Sequence, residues 1–161
     1  MAEQEAQRDS FGEELAEVLS KIVSLAGFRG RIEWRKRDDS EYYVNVRTRR
    51  WDGLLIGRAG KNLRALQLLV HSILQRRYAK MPAVIVDVGN YKQRRENFLR
   101  KKSMAIAKVV KETGREMMLD PLTDKERKLV EQTLAGIDGV RSYTIGTGYR
   151  KNVIIALIDV S

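Results

Sequence analysis

The sequence predicts an α+β fold made of two small packed α/β units. Segments with the 3.6-residue apolar spacing of half-buried helices alternate with short β-branched segments, as in mixed architectures. The element order is helix, strand, strand, helix, helix, strand, and then helix, short strand, helix, hairpin. A chain of 161 residues has room for two such units. We expect a disordered tail over residues 1–10, a first unit over 11–89 and a second over 90–161.

The first unit opens with an amphipathic helix and a hairpin. Apolar residues from Phe11 to Ala26 recur every three or four positions, and Gly27 ends the helix. Residues 31–37 and 42–47 alternate between apolar and polar side chains, and Asp38-Asp39-Ser40 between them is turn-forming.

Two helices separated by a glycine loop follow the hairpin. Asp52 predicts the N-cap of a short helix over residues 54–56, and a longer helix is expected from Lys61 to Tyr78. The β-branched residues 83–88 predict a covered strand that completes the unit. The buried stripe of the longer helix is expected to consist of Leu63, Leu66, Leu69, Val70, Ile73 and Leu74.

The second unit begins with a long helix over residues 90–113. The Thr123-x-x-Glu126 pattern predicts a capping box for the next helix, which Gly136 ends. Strands over residues 140–145 and 152–159 flank a glycine turn at 146–148. The buried face of the long helix is expected to consist of Tyr91, Phe98, Ala105, Ile106, Val109 and Val110.

The charge of the chain is concentrated in one segment. Residues 61–115 carry 14 basic and 3 acidic side chains, a net charge of +11, within a total of +10 for the whole chain. Such a block attracts polyanions, and nucleic acid is the commonest polyanionic partner. The alternatives are solvated helix faces and an anionic membrane surface, and the second is disfavoured because the basic helices lack a wide Trp and Phe face.

The composition excludes several classes of protein. The chain has no cysteine, which excludes disulfide frameworks and thiolate metal sites and is typical of the reducing cytosol. Residues 1–10 lack the apolar core of a signal peptide, and no apolar run reaches the roughly 18 residues of a membrane span. We therefore expect a cytoplasmic protein without membrane insertion.

Three Gly-x-x-Gly matches occur in the chain. Those at 27–30 and 136–139 join a helix to a strand, where glycine serves as a helix stop. The match Gly57-Arg58-Ala59-Gly60 lies between two helices and precedes the basic block. Glycines there let a phosphodiester approach the main chain, and the amides that open the next helix favour an anion. A simple helix–helix corner is the alternative interpretation.

These features resemble a known family. The helix-strand-strand lead-in, the Gly-x-x-Gly between two helices and the closing strand resemble a type II KH domain. The following segment resembles the R-three-H domain, named for its Arg-x-x-x-His signature. That order of domains is similar to the bacterial Jag/KhpB family of RNA-binding proteins, over roughly residues 11–160. The junction from Asp87 to Glu96 is also similar to that family.

The resemblance implies an RNA-binding function, with a role in post-transcriptional regulation. The loop would hold the backbone of about four unpaired nucleotides, and an adjoining apolar groove would take the bases. Single-stranded RNA is the implied ligand, single-stranded DNA is the alternative, and a small KH protein is the implied partner. The residues expected to contact RNA are Ile56, Gly57, Arg58, Ala59, Gly60, Lys61, Leu63, Arg64, Arg94, Lys101, Lys108, Arg127, Lys128, Arg150 and Lys151.

Two features depart from the family pattern. Members of the family carry an additional N-terminal domain, whereas only a short polar tail precedes the first helix here. The signature of the second unit has Glu131 in place of histidine. We expect Glu131 to form an i,i+4 ion pair with Arg127 and to repel phosphate.

A metal-dependent nuclease is the rival interpretation from another class of function. Asp87, Glu96 and Asp120 are the carboxylates that could bind a divalent cation. The single histidine, His71, has no cysteine or second histidine with which to form a zinc site. We therefore expect no enzymatic activity, no cofactor and no metal. A scaffold that acts mainly through protein partners is the third alternative.

Overall fold

The computed structural model describes residues 9–158 and confirms the α+β fold of two units. The chain divides into compact units between Tyr91 and Lys92. Residues 1–8 of the expected tail lie outside the described residues, while Asp9 caps the first helix and Ser10 is its first residue. Asp9 and Ser10 were expected in the tail but belong to the first helix and its cap, because the side chain of Asp9 accepts a hydrogen bond from the amide of Gly12 at 3.1 Å.

The elements of the first unit follow the predicted order. They are α1 (Ser10–Leu25), β1 (Arg31–Asp38), β2 (Glu41–Arg47), α2 (Asp52–Ile56), a 3-10 turn (Arg58–Gly60), α3 (Lys61–Gln75) and β3 (Ala83–Val88). Strands β1 and β2 are antiparallel, from the pair Arg31 and Arg47 at one end to the pair Asp38 and Glu41 at the other. Strand β3 pairs with β2 in parallel, so β2 is the central strand.

The core of the first unit lies between the sheet and helices α1 and α3. Leu15, Leu19, Val44, Val86 and Leu74 are fully buried there, together with other apolar residues of the same elements. Burial of this apolar surface is the main term that stabilises the unit. Because α2 and α3 pack on this core, the loop between them has a fixed position.

The elements of the second unit also follow the predicted order. They are α4 (Tyr91–Thr113), β4 (Met117–Met118), α5 (Asp124–Leu134), β5 (Val140–Ile145) and β6 (Asn152–Leu157). The strands form an antiparallel sheet in the order β4-β6-β5. Helix α5 begins with the predicted capping box between Thr123 and Glu126. The last residue of the predicted final strand, Asp159, lies outside the described residues.

Two predictions about the first unit are wrong. Asp52 is the first residue of α2 rather than its N-cap, and Trp51 occupies the cap position. The carboxylate of Asp52 instead accepts hydrogen bonds from the amide and the hydroxyl of Thr48 at 2.7 and 2.8 Å. Leu69 was expected in the core but is 49% exposed, because α3 faces the sheet with a narrower stripe than the one predicted.

The predicted buried face of α4 is partly wrong. Phe98, Ala105 and Val109 are exposed, and they share the solvent face with the basic residues at 94, 101 and 108. Phe98 lies four residues after Arg94 and three before Lys101, so apolar positions 98 and 105 form a line beside that of the charges on the same face of the helix. The buried face consists of Leu99, Ser103, Ile106, Ala107 and Val110.

Candidate nucleic-acid interface

The chain reverses direction sharply between α2 and α3. Gly57 (φ 69°), Ala59 (φ 51°) and Gly60 (φ 76°) all have left-handed backbone conformations. The amide of Gly60 donates to the carbonyl of Gly57 at 3.1 Å, which closes the 3-10 turn. We call residues 57–60 the Gly57–Gly60 corner. Within it Arg58 is exposed, Gly57 and Ala59 are partly buried, and Gly60 is buried.

Both glycines are required by their surroundings as well as by their φ angles. A Cβ atom on Gly57 would lie 2.6 Å from Cγ of Asn62, and one on Gly60 would lie 3.0 Å from Cε1 of Tyr91. The side chain of Asn62 is itself fixed, because its Nδ2 donates to the carbonyl of Leu54 at 2.7 Å. A side chain at Gly57 would therefore clash with Asn62, and one at Gly60 would be strained by its φ angle and would require the ring of Tyr91 to shift.

The corner presents positive charge beside a helix N-terminus. Gly60 is the N-cap residue of α3, and no side chain caps this helix. The positive end of the helix dipole therefore lies at the corner. The side chains of Arg58 and Lys61 are exposed and that of Arg64 is partly buried. This arrangement suits a phosphate group, which main-chain amides and cations bind together.

The two residues expected to line a base-binding groove are largely in the core. Ile56 and Leu63 are only 7% and 3% exposed, and they pack with the other apolar residues of the first unit. Leu54, on the outer side of α2, is 56% exposed. Sequence reasoning missed Leu54 because a five-residue helix has too few apolar positions to show which side faces the core.

Helix α4 carries an exposed basic line. Arg94, Lys101 and Lys108 are all exposed, and they lie about one helical repeat apart on the solvent face. The ammonium of Lys108 lies 3.9 Å from the carboxylate of Glu112, an exposed pair that contributes little to stability. The three cations are thus accessible to a polyanion along most of the helix.

An exposed aromatic ring interrupts this basic line. Phe98 is 51% exposed, and its ring centroid lies 5.8 Å from the guanidinium of Arg95 and 5.7 Å from the ammonium of Lys102. Cations at these distances are attracted to the face of the ring. Because the apolar spacing predicts Phe98 in the core, this candidate stacking surface was missed. The signal that could have found it is the spacing: Phe98 lies four residues after Arg94, so the two side chains share one face of the helix.

The expected signature pair on α5 is not formed. Arg127 pairs with Asp124, three residues earlier on the helix, rather than with Glu131, which is exposed. The expectation that Glu131 holds Arg127 is therefore wrong, because the carboxylate in the first turn of α5 lies closer to the guanidinium. Lys128 is exposed on the same helix.

The remaining two predicted contact residues lie near the start of β6. Arg150 and Lys151 are both partly buried. The main chain of Lys151 is hydrogen-bonded in both directions to Leu122, at 2.8 and 3.0 Å. The structure therefore brings residues 56–64 together in the first unit, and it places the other predicted residues on α4, α5 and β6 of the second.

The start of α5 is held by a half-buried ion pair. Nε of Arg95 lies 2.9 Å from the carboxylate of Glu126, and both side chains are less than 20% exposed. The second carboxylate oxygen of Glu126 accepts from the amide of Thr123 at 2.9 Å. Burial alone would raise the pKa of Glu126, but these hydrogen bonds outweigh it and lower the pKa below its usual value.

The carboxylates considered for a metal site have other partners. Asp87 is buried and accepts hydrogen bonds from the Tyr43 hydroxyl and the Val88 amide, both at 2.8 Å. Burial and this bond raise the pKa of Tyr43 to about 12. Glu96 pairs with a lysine at 3.2 Å, and Asp120 does so at 3.1 Å. Within residues 9–158 no three acidic or histidine side chains are grouped so that they could hold a metal ion.

Comparison with protein families finds a match within the second unit. The sequence of residues 97–157 matches the R-three-H domain. The second unit contains an R-three-H domain. This domain covers α4 from its second turn onward and the whole of the sheet β4-β6-β5. The match holds although Glu131 replaces the histidine of the signature.

Comparison with curated proteins finds similar proteins from several bacteria that share the name RNA-binding protein KhpB. The chain is 35% identical to RNA-binding protein KhpB of Streptococcus pneumoniae over 103 residues, which are 64% of this chain and 31% of that protein. It is 31% identical to the KhpB of Bacillus subtilis over 105 residues, 64% of this chain and 50% of that protein. It is 31% identical to the KhpB of Clostridium symbiosum over 148 residues, 91% of this chain and 63% of that protein.

These relatives confirm the predicted resemblance to the Jag/KhpB family. The chain spans less than two thirds of the length of the curated relatives it matches. Among the described residues, no helix is both long enough and apolar enough to cross a bilayer.

Proposed function

We propose that this chain is an RNA-binding protein that holds single-stranded RNA by its backbone at the Gly57–Gly60 corner. The observation that carries the proposal is the left-handed main chain of the corner, with the exposed side chains of Arg58 and Lys61 beside the uncapped start of α3. The relatives named RNA-binding protein support the ligand. The element order of the first unit supports its assignment as a type II KH domain.

In this proposal the corner binds phosphates rather than base edges. Amide groups and the helix dipole at the start of α3 stabilise the phosphate, and Arg58 and Lys61 supply full charges. Gly57 and Gly60 let the strand approach the main chain closely, because no Cβ atom stands in the way. Contacts to phosphates set the position of the strand but do not select its sequence.

The second unit provides a further contact surface in this proposal. The basic line of Arg94, Lys101 and Lys108 follows the backbone of the strand, and the exposed ring of Phe98 stacks on a base. Binding of unpaired RNA by both units suits a post-transcriptional regulator. By the same resemblance, a small KH protein is the expected protein partner.

The test is a double substitution in the corner, Arg58→Asp with Ala59→Asp. It places two carboxylates where phosphates would lie and leaves both glycines in place. Aspartate tolerates the left-handed conformation of Ala59 better than most residues, so the fold should be retained. We expect affinity for a single-stranded oligonucleotide to fall at least tenfold, about 1.4 kcal/mol, in fluorescence anisotropy.

The matched control is Ser20→Glu with Lys21→Glu on the exposed side of α1. It changes the net charge by the same three units, away from the corner in sequence and on a helix that tolerates glutamate. The control should lose less than about threefold, because distant charges are screened. Equal affinity of the corner variant and the wild type would contradict the proposal.

A further inference from the structure

Five arginines gather around one groove in the first unit. The groove has a volume of about 1080 Å³, and its lining residues, besides two glycines and Thr48, are Arg29, Arg31, Arg47, Arg49, Arg50 and Trp51. We call it the arginine groove. It lies where β1 begins and β2 ends, because the register pairs Arg31 with Arg47. The arginines on either side of these strands extend the same end of the hairpin.

The hairpin separates its charges along its length. The opposite end is close to neutral, because the cations at residues 35–37 lie there beside Asp38, Asp39 and Glu41. The seven residue steps from Arg31 to Asp38 correspond to about 23 Å of strand. The charges of residues 1–60 cancel when they are counted along the sequence, but in space the arginines form an excess of positive charge at one end of the hairpin.

The positive end keeps most of its charge. Glu33 lies 3.2 Å from Nε of Arg31 and 3.9 Å from Nε of Arg47, so one carboxylate serves two exposed guanidinium groups. The described residues that line the groove include no acidic side chain. Arg29, Arg49 and Arg50 are exposed, and the groove therefore has a net positive electrostatic potential.

The groove is also preorganised for binding. The hydroxyl of Thr48 accepts from the amide of Trp51 at 2.8 Å and donates to Asp52 at 2.8 Å, which fixes the loop between β2 and α2. The indole of Trp51 is 50% exposed, and the ring of Phe28 lies 6.4 Å behind it. A ring held in this way loses little conformational freedom when a ligand stacks on it.

We propose that the arginine groove is a second RNA-binding site of the first unit, where arginines bind phosphates and Trp51 stacks on a base. The combination of exposed guanidinium groups with an exposed indole favours a single nucleic-acid strand over an acidic peptide, which offers no planar base. The five residues of α2 separate Trp51 from Gly57, a distance of about 9 Å along the helix. A strand held at the Gly57–Gly60 corner can continue into the groove.

This inference rests on the proposed function and makes a separate prediction about strand length. The corner alone holds about four nucleotides. A strand of twelve nucleotides can occupy the corner and the groove together, whereas a strand of four can occupy only one of them. Loss of the groove should therefore weaken the long strand and spare the short strand bound at the corner.

The experiment uses the full chain with Arg29→Gln, Arg49→Gln and Arg50→Gln, and separately Trp51→Leu. Binding of twelve-nucleotide poly(U) is measured by fluorescence anisotropy, and binding of four-nucleotide poly(U) by amide shifts of Gly57 and Gly60. We expect the triple variant to bind the long strand at least tenfold more weakly, with a log-log salt slope lower by about 2. Trp51→Leu should weaken it roughly fivefold or more. The titration at the two glycine amides should be unchanged in both variants.

The matched control removes three cations from the other end of the same strand, Arg35→Gln, Lys36→Gln and Arg37→Gln. It should change affinity for the long strand less than the groove variant does. Fluorescence of Trp34 in urea checks that each variant is folded.

Four results would overturn the inference. Wild-type affinity of the groove variants for the long strand, together with a loss in the corner variant, refutes the groove and leaves the proposed function intact. Equal losses for both strand lengths show that the groove is no separate site. Unchanged RNA affinity together with lost affinity for polyglutamate assigns the groove to an acidic peptide. If neither the corner variant nor the groove variants weaken RNA binding, both proposals fail.

Discussion

Glu126 offers a quantitative test of how the second unit is stabilised. Its carboxylate accepts one hydrogen bond from the amide of Thr123 and one from Arg95, both at 2.9 Å. Glu126→Gln keeps an oxygen for the amide but removes the charge that Arg95 faces. A hydrogen bond to a charged group contributes about 1.5–3 kcal/mol and a neutral one about 0.5–1.5 kcal/mol. We therefore expect the free energy of unfolding to fall by about 1–2 kcal/mol at pH 7.

The same substitution should change the response to acid. The pKa of Glu126 is lowered in the folded state from its ordinary value of 4.5, so the ionised form stabilises the fold. This stabilisation is fully present above pH 4.5, and it is lost as the pH falls through the lower pKa of the folded state. The difference between the wild type and Glu126→Gln should therefore shrink as the pH is lowered below 4.5.

The assay must report on the second unit. Both tryptophans, Trp34 and Trp51, are in the first unit, so circular dichroism at 222 nm in urea is needed beside fluorescence. Glu131→Gln is the matched control, because it makes the same chemical change at an exposed position of the same helix. It should cost less than about 0.5 kcal/mol. Equal losses in both variants, or a difference that grows in acid, would refute the role assigned to Glu126.

Two further predictions concern RNA binding by α4. Replacing Arg94, Lys101 and Lys108 together by glutamine should lower the log-log salt slope of binding by up to about 2, since each single-strand phosphate contact contributes about 0.7; an unchanged slope would show that these cations only face solvent. Phe98→Leu should weaken binding by about 1–3 kcal/mol, as expected when a stacked base loses its ring, whereas Met104→Leu at another exposed apolar position of α4 should not. Equal affinities of these two variants in fluorescence anisotropy would contradict stacking on Phe98.

The order of the elements could be predicted from the sequence because periodicity and turn residues act locally. Strand 140–145 and the capping box at Thr123 are where the sequence predicts them. The errors arise where two patterns coincide. On α4, the line of Phe98 and Ala105 lies beside the seven-residue line of the charges, and local spacing does not show which face of the helix packs against the sheet. The orientation is decided by residues distant in sequence, such as Leu122 and Ile155, which pack against the other side of the helix.

The candidate site was predictable where its residues are close in sequence. The Gly57–Gly60 corner is a short motif between two helices, and both its conformation and its exposed cations follow from that position. The arginine groove was missed because its residues come from the start of β1 and the end of β2, which are far apart in sequence but adjacent in the hairpin. Counting charge over residues 1–60 gives zero, and only the register that pairs Arg31 with Arg47 reveals the cluster. A net charge counted along the sequence does not show that strand pairing brings the arginines together.

The parallel pairing of β2 with β3 determines when the first unit can fold during synthesis. Glu41 pairs with Ala83, so 42 residues must be made after β2 begins before its second neighbour exists. At roughly 5–20 residues per second this takes about 2–8 s, whereas the β1–β2 hairpin can form within microseconds. During this interval one edge of β2 has no partner strand. A nascent chain stalled before Ala83 would therefore be prone to edge-to-edge association.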